Sequence, residues 1–256
     1  MFLLSLVKSI LHIYNCNVFQ FVVSNIFYIS VLYVAGIKDQ IGKKYVRGFH
    51  IERRMGMKLV FVRHGEGEHT KDLPASLQVL HPPLTDEGRN EAKLLQCNVP
   101  LQETDILIAS PTLRTLQTAA IWSEKVACQK IVHPYASPRI FPYREGAKTL
   151  PCDHIVDQGG ITNLFPHFSI EKSTNKQLWT EGINTISENC FQQIVDEFLL
   201  WCCELGAERI CIVSHDGTIT AYRQYLQKVV LTRSDFLKET GIYEMDVSLK
   251  ILIEEI

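Results

Sequence analysis

The sequence predicts an α/β protein built on an open, mostly parallel sheet with helices on both faces. Three observations lead there. Short apolar runs of strand length, at residues 59–62, 106–109, 131–135 and 210–213, alternate with helix-patterned runs at 86–96, 111–126, 189–205 and 218–226. The second strand is followed at once by a helix-start signal, Pro111. Right-handed crossovers between parallel strands then distribute the helices over both faces.

Taken in chain order, Lys58-Leu59-Val60-Phe61-Val62 reads as a buried strand that ends abruptly on Arg63-His64-Gly65-Glu66. Ligands of open α/β sheets bind beyond the carboxyl ends of the strands, so an Arg-His pair there is placed for chemistry, although a solvated basic turn has the same local sequence. Pro82-Pro83 marks a loop before the first helix. Asp105-Ile106-Leu107-Ile108-Ala109-Ser110 repeats the pattern and puts Arg114 in the first turn of the following helix. The third strand, Lys130-Ile131-Val132-His133-Pro134-Tyr135, leads to Arg139-Ile140-Phe141-Pro142-Tyr143-Arg144-Glu145-Gly146. Residues 148–185 lack regular periodicity, and Gly159-Gly160 marks a loop within them. This stretch is expected to act as a substrate lid in which His154, His167 and Lys172 tune specificity. After an amphipathic helix over residues 189–205, Arg209-Ile210-Cys211-Ile212-Val213 delivers Ser214-His215-Asp216-Gly217.

Two histidines and two arginines thus fall at or just beyond strand ends. Arg63-His64-Gly65, Pro83-Leu84-Thr85-Asp86-Glu87-Gly88, the run Ser110-Pro111-Thr112-Leu113-Arg114-Thr115-Leu116-Gln117-Thr118-Ala119 and Ser214-His215-Asp216-Gly217 occur in this order. In that order and spacing the chain resembles the histidine phosphatase superfamily, also called phosphoglycerate mutase-like, in its smaller branch. The resemblance runs from Met57 to about Leu231.

The resemblance implies a phosphomonoester hydrolase with a phosphohistidine intermediate. His64 takes the nucleophile's place, and a neutral imidazole can attack phosphorus and split hydrolysis into two displacements. Arg63 and Arg114 would clamp the phosphoryl group, since a guanidinium donates paired hydrogen bonds and stays charged. His215 would stabilise the transferring oxygens. The family draws its proton donor from a loop after the third strand, and Glu145 is the candidate there. Asp216 is the rival, because the larger branch uses an aspartate at that place. The family commonly has an asparagine six residues beyond the nucleophile, where this chain has Thr70, with one donor in place of two. His69 and Glu66 share that loop; Glu66 is expected to face water, since a carboxylate repels phosphate. The scheme needs neither metal nor cofactor, and its partner is a small phosphorylated substrate.

Competing readings are weaker. His64 and His69 are five apart and separated by two glycines, whereas a zinc helix of the His-Glu-x-x-His type needs its histidines four apart. Gly65 and Gly67 lack the third glycine of a dinucleotide fingerprint. A non-catalytic phosphate-binding module would be marked by loss of the first histidine, which is present. A phosphoglycerate mutase-type phosphotransferase would carry an Asn-Glu-x-x-Tyr-Gly stretch, where this chain has Arg144-Glu145-Gly146-Ala147-Lys148.

Composition sets the frame. The chain has 256 residues, 46% hydrophobic and 21% charged, with a net charge of -2, which suits one globular domain plus an extension. No stripe of Arg and Lys with interleaved aromatics points to nucleic acid. The eight cysteines include no Cys-x-x-Cys pair and read as buried thiols of a reducing compartment, with Cys152 near the presumed substrate mouth as the one to watch. Residues 1–56 read as an apolar extension and 57–256 as the phosphatase domain. The first 37 residues carry one charged side chain, Lys8, and residues 18–37 are long enough to span a bilayer. Following lysines and arginines would keep the domain in the cytoplasm, whether the segment is an anchor or Met55 or Met57 is the true start. Nothing in the sequence sets an oligomeric state.

Overall fold

The computed structural model describes residues 56–172 and 174–248, a single compact unit. All of the expected extension but Gly56, including the candidate membrane segment 18–37, lies outside them. Among the described residues no helix is long and apolar enough to cross a membrane.

Six strands form one sheet: β1 (Gly56–Arg63), β2 (Ile106–Ala109), β3 (Gln129–Val132), β4 (Ser169–Ile170), β5 (Arg209–Ser214) and β6 (Ile242–Ser248), in the order β4-β3-β2-β5-β1-β6. The helices are α1 (Asp86–Asn98), α2 (Leu113–Trp122), α3 (Gln158–Leu164), α4 (Leu178–Glu181), α5 (Glu188–Glu204) and α6 (Asp216–Gln227). All neighbouring strands run parallel except β6, which pairs antiparallel with β1. The expected mostly parallel α/β sheet is therefore present.

The apolar runs are continuous because successive side chains of a central strand point to opposite buried faces. Leu59, Phe61, Ile108, Ile210 and Ile212 enter one core with Phe191, Val195 and Phe198 of α5 and Ile219 and Tyr222 of α6. Val60, Val62, Leu107, Ala109, Cys211 and Val213 enter the other with Leu95 of α1 and Leu116, Ala119 and Trp122 of α2.

Register then makes the site. Val213 of β5 is level with Val62 of β1 on one side and Ala109 of β2 on the other. Backbone bonds extend the match one step: His64 N–H donates to Ser214 O at 3.0 Å, and Ser110 N–H donates to Val213 O at 3.0 Å. Three adjacent strands therefore end together, and the residues just after them share one crevice.

Several bounds differ from expectation for local reasons. The third strand stops at Val132, because Pro134 has no N–H for a ladder and opens a 3-10 turn, Pro134–Ala136. Helix α2 starts at Leu113 after Thr112, an extended N-cap. Gly159-Gly160, read as a loop mark, lies in the first turn of α3, where the Asp157 side chain accepts from Gly160 N–H. Residues 148–185 hold α3, β4 and α4, and their Ile161, Phe168, Trp179 and Ile183 are buried in the domain. His154 accepts from the His81 ring through its carbonyl, while His167 and Lys172 are exposed.

The loop after β1 is wedged against the start of α1. A Cβ on Gly88 would lie 2.1 Å from Glu66 O, and one on Gly65 would lie 2.4 Å from Gly88 O. Gly88→Ala is expected to lower stability by about 2 kcal/mol, because backbone on both sides must give way. Urea denaturation checks this, and an unchanged midpoint would refute it.

Candidate active site

His64 is 3% exposed, on the turn that leaves β1. Its Nδ1 lies 2.7 Å from Gly65 O. A carbonyl only accepts, so Nδ1 carries the proton and Nε2 keeps the lone pair. Arg114 confirms the tautomer by donating from Nε to His64 Nε2 at 3.1 Å.

His215 is the N-cap of α6, and its side chain makes no capping bond. Arg114 Nη2 donates to its Nδ1 at 3.1 Å, which puts the proton on Nε2, 2.9 Å from Ser110 Oγ. The two imidazoles meet edge to face with centroids 5.1 Å apart. Burial, then the Arg114 charge, hold both well below the ordinary histidine range, so both are neutral.

Arg114 is 2% exposed and joins the two rings. Its remaining donors reach Cys152 O at 2.6 Å from Nη1 and Asp153 Oδ1 at 2.8 Å from Nη2. Arg63 lies alongside. Its Nη1 donates to Leu237 O at 2.6 Å, and its Nη2 pairs with Glu239 at 3.0 Å and Asp216 at 3.2 Å. Its Nε is buried and without a partner.

His69 packs against His64 with centroids 5.6 Å apart, and burial with the charges of Arg114 and Arg63 takes it down to about 3. Three neutral imidazoles and two guanidiniums are thus gathered together, an environment suited to an anion.

Thr70 donates its hydroxyl proton to Gly67 O at 2.9 Å, which ties it to its own turn. Glu66 points to Lys71 at 2.6 Å and to the Thr85 hydroxyl at 2.7 Å, which lower its carboxyl below the usual range. Asp216 accepts from Gly217 N–H at 2.6 Å in addition to its pair with Arg63. Glu145 is exposed and lines an open pocket of about 390 Å³ with Asp153, among others. Cys152 is 2% exposed and its thiol is pushed up to about 11, mainly by burial, so its contribution here is a carbonyl.

Sequence reading missed three contributors. Ser110 and Thr118 lay inside a quoted motif but showed no role; Ser110 bonds His215, and Thr118 Oγ1 accepts from Gly65 N–H at 3.1 Å. Asp153 sits in an aperiodic stretch and carried no signal beyond its residue type.

Residues 59–136 match the model of the histidine phosphatase superfamily (branch 1). No curated protein sequence matches. Among solved structures, the ecdysone phosphate phosphatase of Bombyx mori aligns with a TM-score of 0.50 at 13% identity, covering 74% of this chain and 88% of that one. A mycobacterial glucosyl-3-phosphoglycerate phosphatase aligns at 0.47 and 14% identity, over 75% and 90% of the two chains. Phosphoserine phosphatase of Entamoeba histolytica, bound to 3-phosphoglyceric acid, aligns at 0.45 and 19%, over 73% and 89%. At 13% identity the Bombyx mori structure speaks for the fold alone, and the family model speaks for the segment that carries β1, β2, α2, His64 and Arg114. Residues 59–136 thus carry the match to the histidine phosphatase superfamily, branch 1.

Proposed function

We propose that the protein hydrolyses small phosphomonoesters through a phosphohistidine on His64. The observation that carries this reading is the Nε2 lone pair of a buried, neutral His64, held in its tautomer by Gly65 O and faced by Arg114. The match of residues 59–136 to the histidine phosphatase superfamily supports a phosphatase; the covalent step rests on the residues.

The substrate's phosphoryl oxygens replace the imidazoles as acceptors for Arg114 and take the free Nε of Arg63. His64 Nε2 forms a bond to phosphorus as the bond to the leaving oxygen breaks, and Glu145 gives its proton to that oxygen. Water then attacks the phosphohistidine, the N–P electron pair returns to His64, and the Glu145 carboxylate takes the water's proton. A dianion beside His215 favours a second proton on that ring, making Nδ1 a donor to the transferring group. Glu145 is preferred to Asp216 as proton donor because Asp216 is held by Arg63 and the Gly217 amide, whereas Glu145 is unencumbered on the pocket wall.

The test is turnover of the full chain on a panel of phosphomonoesters with a chelator present, followed by acid and alkaline quenching. Chelator-resistant phosphate release with an acid-labile, alkali-stable phosphoenzyme is expected. Phosphate binding without turnover or phosphoenzyme would replace the reading by a binding module. Transfer of the phosphoryl group within the substrate would replace it by a mutase, and loss of turnover with chelator would replace it by metal-assisted chemistry.

A further inference from the structure

We propose that His69 is a further donor to the phosphoryl group, acting through its Nδ1 beside His64 and Arg114. The proposal rests on the phosphatase reading and adds a residue to its reaction: a third imidazole, which holds the transferring oxygens and forms no bond to phosphorus.

The loop after β1 leaves one buried polar side-chain atom unused. Glu66 is held by Lys71 and the Thr85 hydroxyl, Thr70 gives its hydroxyl proton to Gly67 O, and Glu68 is exposed. His69 Nδ1, by contrast, is buried with no hydrogen-bond partner. A ring nitrogen left unpaired in the interior costs free energy, and native structures seldom keep one without a use. The turn that carries it is pinned. Glu68 N–H donates to Pro83 O at 2.9 Å, Thr70 N–H donates to Gly67 O at 3.1 Å, and the Ser76 hydroxyl donates to His69 O at 2.7 Å.

Position supplies the use. The His69 ring lies against the ring of His64, with centroids 5.6 Å apart and planes tilted by 59°. Gly67 makes the room for it. The Gly67 φ of -109° suits any residue, so the glycine is needed for space and not for its backbone. A Cβ there would lie 2.6 Å from His69 Nδ1, 2.8 Å from His69 Cε1 and 3.3 Å from Arg114 Cδ. The unused nitrogen and the arginine that donates to both His64 and His215 thus border the same missing side chain.

Charge fixes the role. Burial, then the charges of Arg114 and Arg63, keep the ring neutral, so it carries a single proton. An anion drawn in by the two guanidiniums offers only lone pairs, which selects the tautomer with that proton on Nδ1.

The experiment is calorimetric binding of inorganic phosphate to the full chain and to three variants, with kcat/KM measured alongside on the ester that the wild type turns over best. His69→Asn keeps a side-chain nitrogen near the place of Nδ1, His69→Gln puts one nearer the place of Nε2, and His69→Phe keeps the packing on His64 with no donor. His69→Phe and His69→Gln are expected to weaken phosphate binding and to lower kcat/KM about tenfold each, and His69→Asn to recover most of both. Urea midpoints show which variants keep the fold, and where His69→Phe does not, the contrast between Asn and Gln carries the test. Phosphate binding unchanged in a folded His69→Phe, equal weakness in His69→Asn and His69→Gln, or a wild type that binds no phosphate overturns the donor. A contrast between Asn and Gln in phosphate binding, where the wild type shows neither turnover nor phosphoenzyme, overturns the phosphatase reading and leaves the donor standing.

Discussion

Replacement of His64 by alanine is expected to remove turnover by a factor on the order of 10⁴ or more while the fold persists. The variant deletes the lone pair that forms the N–P bond, and no other group substitutes for it: His215 Nδ1 faces Arg114 while its Nε2 is held by Ser110. His69 lies outside the His64–Arg114–His215 contact, with its Nδ1 unpartnered. The structural cost is modest. Gly65 O and Arg114 Nε each lose one partner, but Arg114 keeps Cys152 O, Asp153 and His215. A loss of about 1–2 kcal/mol follows, within what a domain tolerates. Phosphate release, phosphoenzyme trapping and a urea melt on one preparation check both halves. Hydrolysis at the parental rate would sink the covalent mechanism; an unfolded variant would show that the ring is structural.

Stability is expected to fall steeply between pH 7 and pH 5.5. His64 and His215 are held well below the ordinary histidine range, and burial takes His69 and His133 down to about 3. In the unfolded chain all four titrate near 6.5. As pH drops through that value the unfolded chain binds protons that the native protein does not, so stability present above about pH 6.5 is lost on acidification. Each histidine loses about 1 kcal/mol over this window, on the condition only that its native value lies below the window. Four together lose about 4 kcal/mol, a large part of a typical domain's stability. Glu66, whose carboxyl is lowered, adds its loss only further down, and Glu91, raised chiefly by burial, offsets a little in the opposite sense. Urea midpoints at the two pH values measure the effect. A midpoint that stays level or rises would mean that the imidazoles are charged in the native state.

Much of this protein is legible one segment at a time. The apolar runs at β1, β2 and β5 need burial on both faces, and only a sheet covered by helices on both sides supplies it. Turn chemistry then marks where each run must stop, at Gly65, Pro111 and Gly217. Arg63 and His64 were readable because they stand just before the stop at Gly65, His215 because it stands just before Gly217 and Arg114 because it follows Pro111, where a polar side chain is out of place in a core and in place at a ligand crevice. The edge strand β6 was less visible: its alternation of Tyr243, Met245 and Val247 with Glu244 and Asp246 is a half-buried pattern at the end of the described residues.

What the chain could not declare locally is which of its groups meet. Asp153 and the Cys152 carbonyl reach Arg114 from 39 and 38 residues away, through a stretch with no period of its own. Arg63 is shared with Glu239 and Leu237, more than 170 residues distant, because β6 returns the chain to the side of β1. The protonation of His64 and His215 is likewise a property of the fold, since burial and the Arg114 charge are long-range quantities that no residue type carries by itself. Sequence by itself determined the strand ends and the residues standing on them; tertiary structure decided their partners, tautomers and charge, because strand register and burial join segments that local patterning treats as independent.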